Sequence, residues 1–442
     1  MNDILSRRSM QRGSLHTLAA AAFAAILTIS APAQQLPEPA KTDPNVLGLM
    51  QGFPPSADKT VRLGDGTAWK FPMTRWSFSH MRELVPTAAV GRGMGPASPL
   101  PRAEKNLDGI RFQTMSGEDM TFAESLAKTY TDAVVVLHKG QVVYEKYFGA
   151  GGPERPHAAM SVTKSFVGTL AAMLAADGKL DPSAPVPKYV PELERSAYGD
   201  ATVRQVMDML IGVKYSENYA DPNAEIWAYL RAGGMMPSGA DYTGPRSFYD
   251  FLVGLKKEGE HGHAFAYKTA TAEVLAWIVK RASGKSLADF LSETIWSKLG
   301  AEHDAYFAVD SVGSESGGGG LNTTLRDLAR FGEMMRKDGR LDGKRIIAEN
   351  VVADIRNGGD RGYFAKAGYR TLPGWSYRNM WWVSHDEHGA YMARGIHGQN
   401  IYIDPKAELV IARFGSHPIA ANPFTDPIVL PAYAAVAKSL ME

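Results

Sequence analysis

Strand signals stand near both ends of this chain and helical periodicity fills the stretch between them. That order constrains the fold more than any other feature. Ala133-Val134-Val135-Val136-Leu137 and Gln141-Val142-Val143-Tyr144-Glu145 read as the strands of a hairpin over Asp132 to Phe148, joined through His138-Lys139-Gly140. Asn400-Ile401-Tyr402-Ile403 and Glu408 to Phe414 read as a second antiparallel pair, turned at Asp404-Pro405-Lys406. Between them, Phe166, Val167, Leu170 and Leu174 recur at helical spacing within Ser161 to Ala176. Val274, Leu275, Ile278 and Val279 do the same within Thr269 to Ala282, ahead of Gly284. Further helices are predicted over Ser286 to Leu299, Thr324 to Met335 and Pro427 to Leu440. Each strand pair must bury its apolar face, so the two pairs are expected to join in one antiparallel sheet. Helices would flank it and a helical region, about 200 to 299, would be inserted: an α/β body of the α+β kind.

The chain has 442 residues, 48 Lys plus Arg against 47 Asp plus Glu, and no cysteine. The charge balance supplies no field for nucleic acid. The absence of cysteine excludes disulfides, thiolate metal sites and a cysteine nucleophile. Arg7, Arg8 and Arg12, an apolar stretch from Leu18 to Ile29, and Ala31-Pro32-Ala33 have the order of a secretory signal, so residues 1–33 are expected to be an export address. The mature protein is then expected to be exported, to a periplasm, with no stable membrane insertion after cleavage. Residues 34–118, rich in proline and glycine, read as an N-terminal extension that wraps a larger body at 119–442.

Three motifs can carry chemistry. Ser161-Val162-Thr163-Lys164 opens an apolar helix. There the serine oxygen sits near the positive end of the helix dipole and the lysine shares its face. A serine hydroxyl needs a neighbour to take its proton, and a lysine kept neutral by burial can do so. Ser56-Ala57-Asp58-Lys59 and Ser125-Leu126-Ala127-Lys128 match the same short pattern without that setting. Tyr267, in Phe265-Ala266-Tyr267-Lys268-Thr269, stands just before a helix, where a phenolate or a phenol sharing a proton with the lysine could serve a leaving group. Gly395-Ile396-His397-Gly398-Gln399 leads into a strand. Glycines on a strand let substrate approach the backbone, where an N–H paired with that of the serine could form an oxyanion hole. Each motif also has a plain reading: a helix cap, a packed aromatic, a β-bulge.

Taken together, the motifs resemble the serine β-lactamase and penicillin-binding superfamily, with Ser-x-x-Lys on a helix, a tyrosine loop and a Lys-Thr-Gly-like strand. Within it they are most similar to the 6-aminohexanoate-dimer hydrolases and the class C-like esterases. The likeness extends through Val213 to Glu225 and through Gly319-Gly320-Leu321 to Arg330. The resemblance implies a β-lactamase-like fold and these roles. Ser161 is the acylated nucleophile, Lys164 its base or proton relay, and Tyr267 the group that protonates the leaving group and then activates water. The Ser161 and Ile396 N–H groups would hold the oxyanion, and Tyr219 would hydrogen-bond an amide leaving group. No metal or cofactor is implied, and the partner is a small ester or amide. Three positions depart from the pattern. Thr269 replaces an asparagine, and Ala393-Arg394-Gly395 replaces Lys-Thr-Gly. Leu230 falls about where some relatives carry an aspartate that favours the amide dimer. A serine hydrolase of esters or linear amides is therefore expected. The alternatives are a penicillin-recognising D,D-peptidase or β-lactamase, and a non-catalytic binding or sensor protein of the same fold.

Overall fold

The computed structural model describes residues 36–442; residues 1–33, expected from the sequence to be an export signal, lie outside the described residues. In chain order the strands of the two main sheets are β1 (Thr87–Val90), β2 (Thr131–His138), β3 (Gln141–Tyr147), β4 (His157–Ala158), β5 (Ala305–Ala308) and β6 (Leu321–Thr323). They continue with β7 (Ser376–Arg378), β8 (Trp381–Val383), β9 (Tyr391–Gly395), β10 (Gln399–Asp404) and β11 (Leu409–Gly415). The larger sheet has seven strands in the order β7-β8-β9-β10-β11-β2-β3, with antiparallel neighbours throughout. The early hairpin and the late strands do join: β11 pairs β2 from Leu409↔His138 to Arg413↔Val134 and beyond. Every residue of β2 is buried, as its apolar stretch Ala133–Leu137 in a sheet covered on both faces requires.

The helices that matter to the site are α1 (Val162–Ala176), α2 (Glu225–Ala232), α3 (Thr269–Ser283), α4 (Leu325–Arg336) and α5 (Asp426–Met441). Helix α4 covers one face of the large sheet, against Ile401 and Val410. Helix α5 covers the other, where the Tyr433 hydroxyl donates to Asn400 Oδ1 at 2.7 Å and its ring meets Tyr402 at 5.3 Å. Residues 400 and 401 serve opposite layers because strand side chains alternate. Helix α1 packs between β9 and α3. Twelve of its fifteen residues are buried, which suits a helix enclosed by other elements rather than one lying on a surface.

The sequence reading missed a second, four-stranded sheet in the order β1-β5-β6-β4. Its strands are two to four residues long, too short for a visible alternation. One of them, β1, comes from the proline-rich stretch before residue 118 and pairs β5 from Thr87↔Ala308 to Val90↔Ala305. That stretch also forms short helices, including Thr74–Ser77. The helix expected over Ser286 to Leu299 is interrupted by a π-turn at Ser292–Trp296. Residues Pro37–Glu442 make one compact unit. No helix among the described residues is long and apolar enough to cross a membrane.

Candidate active site

The short sheet delivers the serine. Strand β4 pairs β6 through His157↔Thr323 and Ala158↔Asn322, and the Ala159 N–H donates to the Leu321 carbonyl at 2.9 Å. The chain then turns at Met160, a non-glycine residue at φ +47°. That conformation is strained by roughly 1–3 kcal/mol and persists only where surrounding bonds impose it. The Thr163 hydroxyl and N–H supply them, both donating to the Met160 carbonyl, at 2.6 and 3.0 Å. Ser161 follows as the N-cap of α1, yet its side chain caps nothing. Its oxygen instead accepts from Lys164 Nζ at 2.8 Å.

Lys164 is 1 % exposed. Besides Ser161, its ammonium donates to the Gly318 carbonyl at 2.5 Å and sits 5.1 Å over the Tyr267 ring. Burial pulls its pKa down from the ordinary lysine value to about 8, while the Glu217 and Glu273 carboxylates oppose the shift. A measurable fraction of neutral amine is thus available near neutral pH.

Neither glutamate was singled out from the sequence. Glu273, on α3, accepts from the Gly317 and Gly318 N–H groups at 2.9 and 2.8 Å, from Ser316 Oγ at 3.0 Å and from the Tyr229 hydroxyl at 2.5 Å. It fastens the glycine loop so that the Gly318 carbonyl faces Lys164. The loop needs glycine because it lies against α3: a Cβ on Gly318 would stand 2.5 Å from Thr269 Cγ2, and one on Gly317 2.4 Å from Ala276 Cβ. Glu217 accepts from the Thr269 N–H at the start of α3 and is pushed up in pKa by burial, with Lys164 pulling it down. The signal available in the sequence was a glutamate in each of two family-like segments, which spacing alone does not aim.

Tyr267 is clamped by aromatic contacts, its ring centroid 5.4 Å from Trp382 and 6.3 Å from Tyr377. Burial, and then the Glu217 charge, push its hydroxyl well above the ordinary tyrosine value, while a hydrogen bond with the Ser161 side chain works the other way. It is therefore a neutral phenol in the free site, which disfavours the phenolate form. Lys268 points elsewhere, donating to the carbonyls of Val213 and Tyr215 and tying that loop to α3.

On the opposite wall, Gly395 ends β9 and Ile396–Gly398 forms a 3-10 turn before β10. The glycine box is thus a strand end and turn rather than an open strand. A Cβ on Gly395 would lie 2.8 Å from the Ala159 carbonyl and 3.0 Å from the Ser161 nitrogen. Only glycine lets the box come this close to the serine turn, and the same approach sets Ile396 beside Ser161. His397 adopts φ +63°, and its Nδ1 lies 2.7 Å from the His417 carbonyl. Burial pulls its pKa down to about 4, so the ring is neutral. Arg394 does not offer a free cation. It is 5 % exposed, donates to Asp426 and lies 5.0 Å over the Trp382 ring. Trp381 and Trp382 are buried packing residues.

Ser161, Tyr219, Leu230, Thr269 and Ile396 all line one cavity of about 430 Å³. Tyr219 meets Trp227 edge-on at 5.9 Å. The structure therefore gathers four predicted residues, Lys164, Tyr267, Ile396 and Tyr219, around the fifth, Ser161.

The fold and this serine–lysine pair define a serine hydrolase acting on amide or ester bonds. A family model described as Beta-lactamase matches residues 121–418. A 6-aminohexanoate-dimer hydrolase of Paenarthrobacter ureafaciens is 37% identical over 348 residues, covering 78% of this chain and 86% of the relative. A solved structure from Bacillus anthracis, carrying the same hydrolase assignment, superposes with a TM-score of 0.79 at 34% identity, over 88% of this chain and 98% of that one. A family VIII carboxylesterase structure shares the fold at a TM-score of 0.51 and 17% identity, over 71% of this chain and 95% of that one. The chain belongs to the β-lactamase family.

Proposed function

We propose that this hydrolase cleaves esters or linear amides through an acyl-serine formed at Ser161. The observation that carries the reading is the buried Lys164 ammonium 2.8 Å from Ser161 Oγ, with a pKa drawn toward neutrality by burial. As neutral amine, Lys164 takes the serine proton while Oγ attacks the carbonyl carbon. The Ser161 and Ile396 N–H groups receive the charge that develops on the carbonyl oxygen. Tyr267, a neutral phenol beside both Lys164 and Ser161, donates a proton to the leaving oxygen or nitrogen, and the lysine reprotonates it. In the second half the same pair takes a proton from water as it attacks the acyl carbon, and passes that proton to Ser161 Oγ as the ester bond breaks, releasing the acid and the free serine. Tyr219 faces the leaving group.

The 6-aminohexanoate-dimer hydrolase relative supports linear amides as one substrate class, and the carboxylesterase fold is compatible with esters. A penicillin-directed activity is disfavoured by Arg394, whose charge is already satisfied by Asp426. We also read residues 1–33 as an export signal and the mature protein as periplasmic, which N-terminal sequencing of the protein recovered from a periplasmic extract tests.

The test of mechanism is hydrolysis of p-nitrophenyl acetate and butyrate by wild type beside Ser161→Ala. A stoichiometric burst with turnover in wild type, both lost in the variant, is expected. Equal activity in the two proteins overturns the assignment of Ser161.

A further inference from the structure

The cavity beside Ser161 has a wall that comes from outside the stretch matched by the family model. Trp69 and Met81 line it, and both precede residue 121, where that match begins. Trp69 is held there by its indole N–H, which donates to the Met235 carbonyl, and by its ring contact with Phe78 at 6.1 Å. Met81, 4 % exposed, packs in one cluster with Phe78, Met160 and Met235. Leu230 and Met235 complete the same side of the cavity.

Among the described residues that line this space there is no Asp, Glu, Lys or Arg. The titratable groups facing it are Tyr219, Tyr229 and His397. Burial keeps each of them neutral, the tyrosines shifted up and the histidine down. Lys164 and Glu273 stand behind the site and are occupied by Ser161, Gly318 and the glycine loop. A charged substrate terminus entering here would lose its water and find no counter-charge. An apolar chain would exchange water for methionine, tryptophan and leucine carbon.

We propose that the Trp69–Met81 segment is a substrate wall that fits the site to uncharged esters or amides bearing a straight apolar acyl chain. At about 430 Å³ the cavity falls in the range of roughly 300–1,000 Å³ that takes small organic ligands, room for an acyl chain well beyond acetyl. The proposal rests on the acyl-enzyme reading above. It also separates this enzyme from a hydrolase that must hold a charged substrate end beside the scissile bond.

The experiment is kcat/KM of the mature protein on p-nitrophenyl acetate, butyrate, hexanoate and octanoate, for wild type and Trp69→Ala, with a hexanoyl ester carrying a terminal carboxylate as comparison. For wild type the value is expected to rise by up to about fourfold per methylene, the ~0.8 kcal/mol of a buried CH2, and to level off once the chain fills the cavity. The terminal carboxylate is expected to lower it by roughly 100-fold against the neutral ester. Trp69→Ala is expected to cut the octanoate-to-acetate ratio by about tenfold, since burial by one wall accounts for part of the gain. That ratio does not depend on how much of the variant is folded. A flat or falling chain-length profile, equal turnover of the carboxylated ester, or an unchanged ratio in Trp69→Ala overturns the wall while leaving acylation of Ser161 intact. Loss of the burst on acetate, or its survival in Ser161→Ala, instead overturns the acyl-enzyme reading and this proposal with it.

Discussion

Gly395→Ala tests whether the box beside Ser161 works by closeness of approach. An added Cβ would stand 2.8 Å from the Ala159 carbonyl, 3.0 Å from the Ser161 nitrogen and 3.1 Å from Gln399 Cβ. Non-bonded atoms settle at about 3.5 Å or more, so the strand end and the serine turn must part by about 0.7 Å. Oxyanion donors work within a window only about 0.4 Å wide, so the Ile396 N–H would leave its place relative to that of Ser161. Outright loss of one such donor lowers kcat by roughly 10²–10³-fold. A displaced donor is expected to lower kcat/KM for p-nitrophenyl butyrate by roughly 10- to 100-fold. Crowding is expected to lower stability by about 1–3 kcal/mol, which circular dichroism and thermal melting measure separately. Gly64→Ala is the control, because a Cβ there meets nothing within 4 Å. The acylation burst rate, read by stopped flow, should fall with kcat/KM. If Gly395→Ala is folded and turns over at the wild-type rate, the pairing of the Ser161 and Ile396 N–H groups as an oxyanion hole is refuted.

The remaining predictions concern charge. Lys164, held near a pKa of about 8 by burial, acts as a base only when deprotonated, so kcat/KM should climb as pH rises through about 8. The Glu217 carboxylate raises that pKa, so Glu217→Gln should move the acid limb to lower pH; an unmoved or upward-shifted limb in the pH–rate profile contradicts the coupling. Asp426→Ala strands a buried guanidinium on Arg394 and should cost about 3–5 kcal/mol in urea unfolding. The double variant Arg394→Met/Asp426→Leu should recover most of that loss, and equal stability of wild type and Asp426→Ala would show the pair to be dispensable.

Much of the site was legible in the sequence because its parts sit in locally readable places. Ser161 and Lys164 share one helical turn, Tyr267 precedes a strongly periodic helix, and Ile396 lies in a glycine-bounded turn. The large sheet was legible for a similar reason: β2 and β11 carry apolar runs, Ala133–Leu137 and Leu409–Ala412, that are buried against each other and two helix layers. The small sheet was not, because β4 and β6 hold two and three residues and are strands only by virtue of their partners. The pocket wall from Trp69 and Met81 was equally hidden, since nothing periodic marks a loop that is shaped by what it packs on.

By itself the sequence singled out Ser161, Lys164 and Tyr267 as the candidate site, and gave the order of the main elements and the absence of cysteine. These follow from residue identity and from spacing within a few residues, which local backbone geometry converts directly into position. Tertiary structure alone decided which charges are free. It buries Lys164 and so lowers its pKa, couples Glu217 and Glu273 to it across long stretches of chain, and removes Arg394 from the site by pairing it with Asp426. Desolvation and Coulomb energy depend on distance in space and on exclusion of water, neither of which spacing along a chain contains.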